Sequence, residues 1–360
     1  MSIHFHKLAV KEVNKETADC VSIVFDIPDD LKEIFRFKQG QSLTMRTTIN
    51  GEEARRTYSI CSTPLENVLR VAIKKVDGGL FSSFANEQLK KGGVLEVMPP
   101  VGKFYVELDP SHKKNYLAIA AGSGITPVIS IIKTTLQTEP ESSFTLIYGN
   151  RSRSSIIFFE ELEAIKNKYL QRFSFINILS RERTDSVIHF GRIDKDKLHD
   201  LAKLIDYTSM DETFICGPEE MIFTVKAFLE AKGIDKKKIH FELFTTSSGP
   251  KPATSNLEPI IKDTSVKSHI TIRLDGRSVD FTIPLNSDTT LLDAALKQGA
   301  DLPYACKGGM CCTCKAKLLE GEVSMDVHWG LEDEEVEKGY ILTCQSHPKT
   351  EKVVVDFDAK

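Results

Sequence analysis

Four cysteines near the C-terminal end constrain this chain more than any other feature. Cys306 and Cys311 are separated by four residues, Cys311 and Cys314 by two, and Cys314 and Cys344 by twenty-nine. That is the spacing of a [2Fe–2S] site, in which a tight loop supplies three thiolates and a later element the fourth. Gly308 and Gly309 let the loop fold closely, so that backbone N–H groups can point at sulfur. Zinc is the competing reading, but structural zinc sites favour two CxxC knuckles, which are absent here. Cys312, lying between two ligands, is expected to be a bystander thiol that faces away from the irons. Cys20, Cys61 and Cys216 are scattered over the first two-thirds of the chain, unlike a dense secreted disulfide framework.

The rest of the chain divides by rhythm. Over roughly the first hundred residues short strands are expected at His6–Val13, Ser22–Asp26, Ser42–Ile49, Leu69–Val76 and Val94–Met98, separated by Gly, Pro, Asp and Asn turns. This spacing suggests a small antiparallel barrel, with one helix over Phe81–Lys90. From Asn115 strands alternate with helices, beginning with the strand Asn115–Ala121 and the helix Pro127–Leu136 and ending with the helix Glu219–Ala231 and the strand Ile239–Phe244. This is the pattern of a parallel sheet covered on both faces. A Ser/Thr/Pro-rich stretch from Thr245 to about Lys267 reads as a flexible linker. Beyond it a hairpin turns at Asp275–Gly276, and a helix at Thr290–Gln298 precedes the cysteine loop. The expected fold is multidomain: an antiparallel β-barrel at 1–108, an α/β parallel-sheet domain at 109–245, a linker at 246–267 and an α+β (β-grasp) domain at 268–360.

Two further sets of residues carry chemistry. In Arg56-Thr57-Tyr58-Ser59, strand alternation puts Arg56 and Tyr58 on one face and Ser59 on the other. A flavin needs a cation for its pyrophosphate, an aromatic plane beside its ring and a donor near N5, and these residue types supply all three. The motif is short, and Arg and Tyr on a strand are also ordinary surface residues. Some twenty residues on, Gly78-Gly79-Leu80-Phe81-Ser82-Ser83 opens a helix with hydroxyls in its first turn, an anion site suited to a pyrophosphate. Ala120-Ala121-Gly122-Ser123-Gly124-Ile125-Thr126-Pro127 follows an apolar strand and precedes a helix, the context in which a Gly-rich turn approaches a dinucleotide. Tyr148-Gly149-Asn150-Arg151, Ser180-Arg181 and Cys216-Gly217-Pro218 each end a strand, at the sheet edge where open parallel sheets bind ligands.

From His269 onward, PYACKGGMCCTCKAKLLEGEV and then LTCQS resemble a complete plant-type ferredoxin. With RTYS, GGLFSS, AGSGITP and CGP ahead of them in that order, the chain resembles the ferredoxin–NADP⁺ reductase superfamily with a ferredoxin fused behind. This is the arrangement of class IA-type oxygenase reductases. The resemblance implies that Arg56, Tyr58 and Ser59 hold FAD, with Ser59 near N5, and that Gly79, Ser82 and Ser83 cradle its pyrophosphate. It implies that Gly122, Gly124 and Thr126 contact the nicotinamide dinucleotide and that Cys216 lies near the nicotinamide ring, making Ser59 and Cys216 the catalytic pair. Ser180 and Arg181, assisted by Arg151, match the residues that read the 2′-phosphate of NADPH; a guanidinium suits a phosphate, and NADH is the alternative. Glu242–Phe244 stands where plant reductases place an aromatic over the flavin, and its role is left open.

The expected activity is transfer of electrons from NADPH through FAD and [2Fe–2S] to an external oxygenase component. Ring-hydroxylating dioxygenases, steroid hydroxylases and desaturases are alternative acceptors that the architecture shares. A redox-sensing or scaffold subunit is a rival from another class, but a sensor has no need for an intact hydride route. The net charge of −4 gives no basic surplus for nucleic acid. The most apolar stretch, Tyr116 to Ile132, is broken by Gly122, Gly124 and Pro127, a poor membrane span. The start lacks the apolar core of a signal peptide, and a cytoplasmic protein is expected.

Overall fold

The computed structural model describes residues 4–244, 266–285 and 288–359. Those residues fall into two compact units, 5–244 and 266–285 with 288–359, the latter grouped with His4. Most of the expected 246–267 linker lies outside the described residues, and Lys267 opens a strand.

The first unit begins with six antiparallel strands: β1 (His6–Thr17), β2 (Cys20–Asp26), β3 (Ser42–Ile49), β4 (Glu52–Ser59), β5 (Leu69–Lys74) and β6 (Val94–Val97). Their order is β4-β3-β6-β1-β2-β5, and Ile60 bridges Val71 to join the end strands into a barrel. β1 runs four residues past its expected end. Bulges at Val10/Glu12 and Lys15/Thr17 shift its register, which breaks the alternation a sequence reading relies on. Leu8, Val10, Ile23, Leu43, Met45, Val71 and Leu95 fill the barrel, and helix α1 (Leu80–Glu87) packs Phe81 and Ala85 onto that core.

The same unit continues into a parallel sheet of β7 (Asn115–Ala121), β8 (Ser143–Asn150), β9 (Phe173–Leu179), β10 (Glu212–Gly217) and β11 (Ile239–Leu243), in the order β11-β10-β7-β8-β9. Both faces of β7 are buried. Tyr116, Ala118 and Ala120 join the cluster beneath α2 (Ile125–Thr138) and α3 (Phe159–Lys168), while Leu117 and Ile119 are equally inaccessible on the other face. That second face is covered by α5 (Glu219–Ala231), on which α4 (Lys195–Leu201) packs. Such two-sided burial is why these strands read as continuous apolar runs. Helix α2 starts two residues before Pro127, because proline is tolerated in a first turn whose N–H groups have no intrahelical partners. Strand order reverses at β7, so the crevice at the C-terminal ends of β7 and β10 is the switch point where ligands bind in such sheets.

The second unit pairs β12 (Lys267–Leu274) with β13 (Arg277–Pro284) through Asp275 and Gly276, both at positive φ as a tight hairpin turn requires. Helix α6 (Leu291–Lys297) follows, capped by Thr290, then β14 (Lys315–Glu320), β15 (Val323–Met325), α7 (Asp333–Glu337), β16 (Tyr340–Leu342), β17 (Ser346–Pro348) and β18 (Lys352–Asp356). The main sheet runs β13-β12-β18-β14-β16, with β12 and β18 parallel and α6 packed on it. This is the expected α+β arrangement. Among the described residues no helix is long and apolar enough to cross a membrane.

Candidate active site

The cysteine loop lies between α6 and β14. The ladder between β14 and β16 pairs Lys315 with Leu342, so the residues just beyond that pair, Cys314 and Cys344, arrive side by side. Thr343 fastens the junction, its N–H donating to the Cys314 carbonyl at 3.2 Å and its hydroxyl to the same oxygen at 3.1 Å. Within the loop, the N–H groups of Gly308 and Cys311 point at the Cys306 sulfur at 3.3 and 3.5 Å. Gly309 takes a φ of +77°, and a Cβ there would meet Val327 at 2.7 Å.

No three His, Cys, Asp or Glu side chains among the described residues converge on one metal position. The thiols instead stand two and two within hydrogen-bonding reach, Cys306 with Cys311 and Cys314 with Cys344. One tetrahedral ion would need all four at a single centre, whereas two bridged irons need two pairs. Within each pair one thiol donates to the other, so Cys306 and Cys344 are pulled below the ordinary range by their partners, while Cys311 and Cys314 are pushed above it. The buried Thr313 hydroxyl lies within hydrogen-bonding reach of the Cys311 sulfur, a donor available to a cluster. These residues fit a [2Fe–2S] group. The Cys312 thiol donates to the Gly330 carbonyl at 2.6 Å, so backbone engages it.

Gln345 was not singled out by sequence reasoning. Its buried amide donates to the Lys307 carbonyl at 2.8 Å, the Cys344 carbonyl at 3.0 Å and the Cys344 sulfur at 3.6 Å. It therefore ties the loop to the distant fourth cysteine. Its place next to Cys344 was the available signal.

In the first unit, β4 places Arg56 outward and exposed, Tyr58 half-buried and Ser59 buried. The Tyr58 ring lies 5.6 Å from Phe81 of α1, which brings the strand and the helix start together. No side chain caps α1, and Gly78, at φ +71°, has open space where a Cβ would stand. A hollow of about 280 Å³ is lined there by Gly78, Gly79, Leu80 and Ser83, with Asn50 opposite. Ser82 faces the other way: it accepts from the Val76 N–H at 3.1 Å and donates to the Gly79 carbonyl at 3.2 Å. The uncapped helix start beside open space fits an anionic group such as a flavin pyrophosphate.

At the switch point, a Cβ on Gly124 would lie 2.1 Å from the Cys216 carbonyl oxygen, so the β7–α2 turn sits directly against the end of β10. Gly122, at φ +54°, faces open space. Its carbonyl accepts from the Tyr148 hydroxyl at 2.8 Å, and Thr126 closes the turn by donating to the Ser123 carbonyl at 3.0 Å. With no side-chain cap on α2, this turn too fits a phosphate-bearing dinucleotide. Arg151 and Ser180–Arg181 are brought together at the ends of β8 and β9, the Arg181 N–H donating to the Arg151 carbonyl at 2.8 Å. Both guanidinium groups are exposed and without an ion-pair partner among the described residues.

Ser59 and Cys216 are connected through a third residue. The Ser59 hydroxyl donates to Glu242 Oε2 at 3.1 Å, and Glu242 is the register partner of Cys216 on β11. Burial, with the Glu242 carboxylate as a lesser cause, pushes the Cys216 thiol well above its ordinary range and keeps it protonated. Glu242 thus ties the end of the barrel strand to the edge of the nucleotide sheet.

Comparison with known proteins agrees with this geometry. Family models match for an oxidoreductase FAD-binding domain at residues 7–105, an oxidoreductase NAD-binding domain at 118–227 and a 2Fe-2S iron-sulfur cluster binding domain at 272–349. The chain is 49% identical over 358 residues to a component of the 1,2-phenylacetyl-CoA epoxidase of Escherichia coli K12, covering 99% of this chain and 98% of that protein. It is 36% identical to the ferredoxin reductase component of 3-ketosteroid-9-alpha-monooxygenase from Rhodococcus rhodochrous, over 97% and 96% of the two chains. Phthalate dioxygenase reductase, a modular structure for electron transfer from pyridine nucleotides to [2Fe–2S], shares the fold with a TM-score of 0.58, 23% identity and 98% of each chain covered.

Proposed function

This chain belongs to the family of oxygenase reductase components that join FAD-binding, NAD-binding and 2Fe-2S domains, and from that premise we propose that it carries electrons from NADPH to phenylacetyl-CoA epoxidase. The near full-length similarity to the Escherichia coli epoxidase component supports this acceptor. The observation that carries the hydride route is the Ser59–Glu242–Cys216 junction, where the barrel strand and the nucleotide sheet meet. In this reading the barrel occupies 1–108, the nucleotide domain 109–245 and the ferredoxin domain 268–360. Cysteines given to a cluster rather than to disulfides suit a reducing cytoplasm.

FAD, when bound, supplies the conversion of a two-electron hydride into single electrons, a chemistry no side chain offers. The chain's own residues align and shield. Arg56, the unpaired N–H groups in the first turn of α1 and Ser83, which lines the hollow there, would bind the flavin pyrophosphate, with Tyr58 flanking its ring, while Gly79 and Ser82 hold the loop in shape through their bonds with Val76. Ser59, its hydroxyl proton donated to Glu242, would turn its oxygen toward N5 of a bound flavin. Gly122, Gly124 and Thr126 shape the nicotinamide dinucleotide site, and the protonated Cys216 offers the ring a neutral surface rather than a nucleophile. Arg151, Ser180 and Arg181 bind the 2′-phosphate, which favours NADPH. Cys306, Cys311, Cys314 and Cys344 hold the cluster.

Anaerobic stopped-flow mixing with NADPH, then with NADH, tests the route. The expected result is fast bleaching of a flavin band, then of a separate iron–sulfur band, faster with NADPH. Flavin bleaching without cluster reduction would overturn the relay. Reconstitution with phenylacetyl-CoA epoxidase and with a steroid hydroxylase tests the acceptor.

A further inference from the structure

The residues that follow Ser59 lead straight to the nucleotide helix. Ser130 on α2 donates to the Ser62 carbonyl at 2.6 Å, and the Thr134 hydroxyl lies 3.0 Å from Thr63 Oγ1, both contacts buried. Around them four charges alternate in sign. Arg70 of β5 donates to both oxygens of Glu161 on α3, at 3.0 and 2.7 Å. Glu161 also accepts from Lys133 of α2 at 2.8 Å, and Lys133 reaches Glu66 at 2.5 Å. Lys133 is 8% exposed, and Arg70 lies over the Phe158 ring at 5.0 Å. The barrel's Cys20, Cys61, Ala72 and Phe104 share one apolar cluster with α2 and α3, so the charges sit beside a seam that is otherwise greasy.

Stability alone does not account for such a network. Desolvating charges at a seam costs about as much as their attraction returns, and apolar residues would hold it as well. What bidentate and charge-assisted bonds add is direction. Helix α2 carries the Gly122–Gly124 turn at its start, and β4 ends on Ser59 three residues before Ser62.

We propose that Arg70, Glu161 and Lys133, with Ser130 and Thr134, are positioning residues that fix the strand bearing Ser59 against the helix bearing the Gly122–Gly124 turn, and so set the alignment for hydride transfer. The inference rests on the flavin and nucleotide sites proposed above. A displacement near 1 Å at a reacting centre costs roughly a hundredfold in rate, so even partial loosening is measurable.

Two variants test it. Glu161→Gln keeps the shape and removes the central charge; Thr134→Val is nearly isosteric and removes only the hydroxyl. Native and variant holoproteins are titrated with oxidised nucleotide while the flavin spectrum is recorded, then reduced in single-turnover stopped flow with whichever nucleotide reduces the native protein. The expected result is an unchanged nucleotide Kd, an altered flavin difference spectrum and a flavin-reduction rate constant lower by about tenfold or more. Native spectra and rates in both variants, even with a lower melting temperature, would mean a merely structural role and overturn the inference. If neither nucleotide reduces the native flavin, the functional reading itself falls, which is a distinct outcome.

Discussion

Gln345 shows how much a single side chain can settle. One amide, in reach of the Lys307 carbonyl and the Cys344 sulfur, spans the two halves of the cysteine site. N–H donors to sulfur stabilise the more negatively charged, reduced form of a cluster. Gln345→Leu should therefore move the cluster midpoint potential to more negative values and weaken iron retention by about tenfold or more. An EPR-monitored redox titration checks the first and iron content after gel filtration the second. The four cysteines proposed as ligands stood out in the sequence because a metal site demands particular atoms at particular spacings. Gln345 did not, since a glutamine becomes informative only when the fold brings it to residues 38 positions away. The same holds for Ser59 and Glu242, whose bond joins residues 183 positions apart.

At the scale of elements, tight contacts explain which motif residues admit no replacement. A methyl at Gly124 would stand 2.1 Å from the Cys216 carbonyl oxygen and 2.5 Å from its carbon, backbone that cannot yield without moving β10. Gly124→Ala should cost about 1–3 kcal/mol and weaken the nucleotide-induced change in the flavin spectrum, read by thermal melting and by titration. Acid gives a second prediction. Arg70 and Lys133 overcome burial and hold the Glu161 carboxyl below its usual range. Its contribution to stability is then present above the ordinary carboxylate pKa and lost as pH falls through the lowered value. The melting temperature of the unit 5–244 should drop on acidification, and Glu161→Gln should flatten that part of the profile. The strands Ser42–Ile49 and Asn115–Ala121 and the helix Glu219–Ala231 lie where periodicity put them. The strands β15, β16 and β17 escaped, because each is only three residues long, too short for alternation to show.

For the molecule as a whole, the division into two compact units predicts separable losses. Removing iron with a chelator under reducing conditions should lower the melting transition of the C-terminal unit, since a cluster that binds only the folded form contributes its binding energy to folding. The transition of 5–244 and flavin reduction by nucleotide should persist, as calorimetry and stopped flow would show. The two-and-two grouping of the thiols also has a consequence for how the protein is made. A growing chain completed only through Cys314 holds one thiol pair and half of another. The missing half comes within reach after β16 has been synthesised and has aligned on β14. A four-thiolate site is therefore complete only once Cys344 has been made, and a chain cut short before it should fail to retain iron.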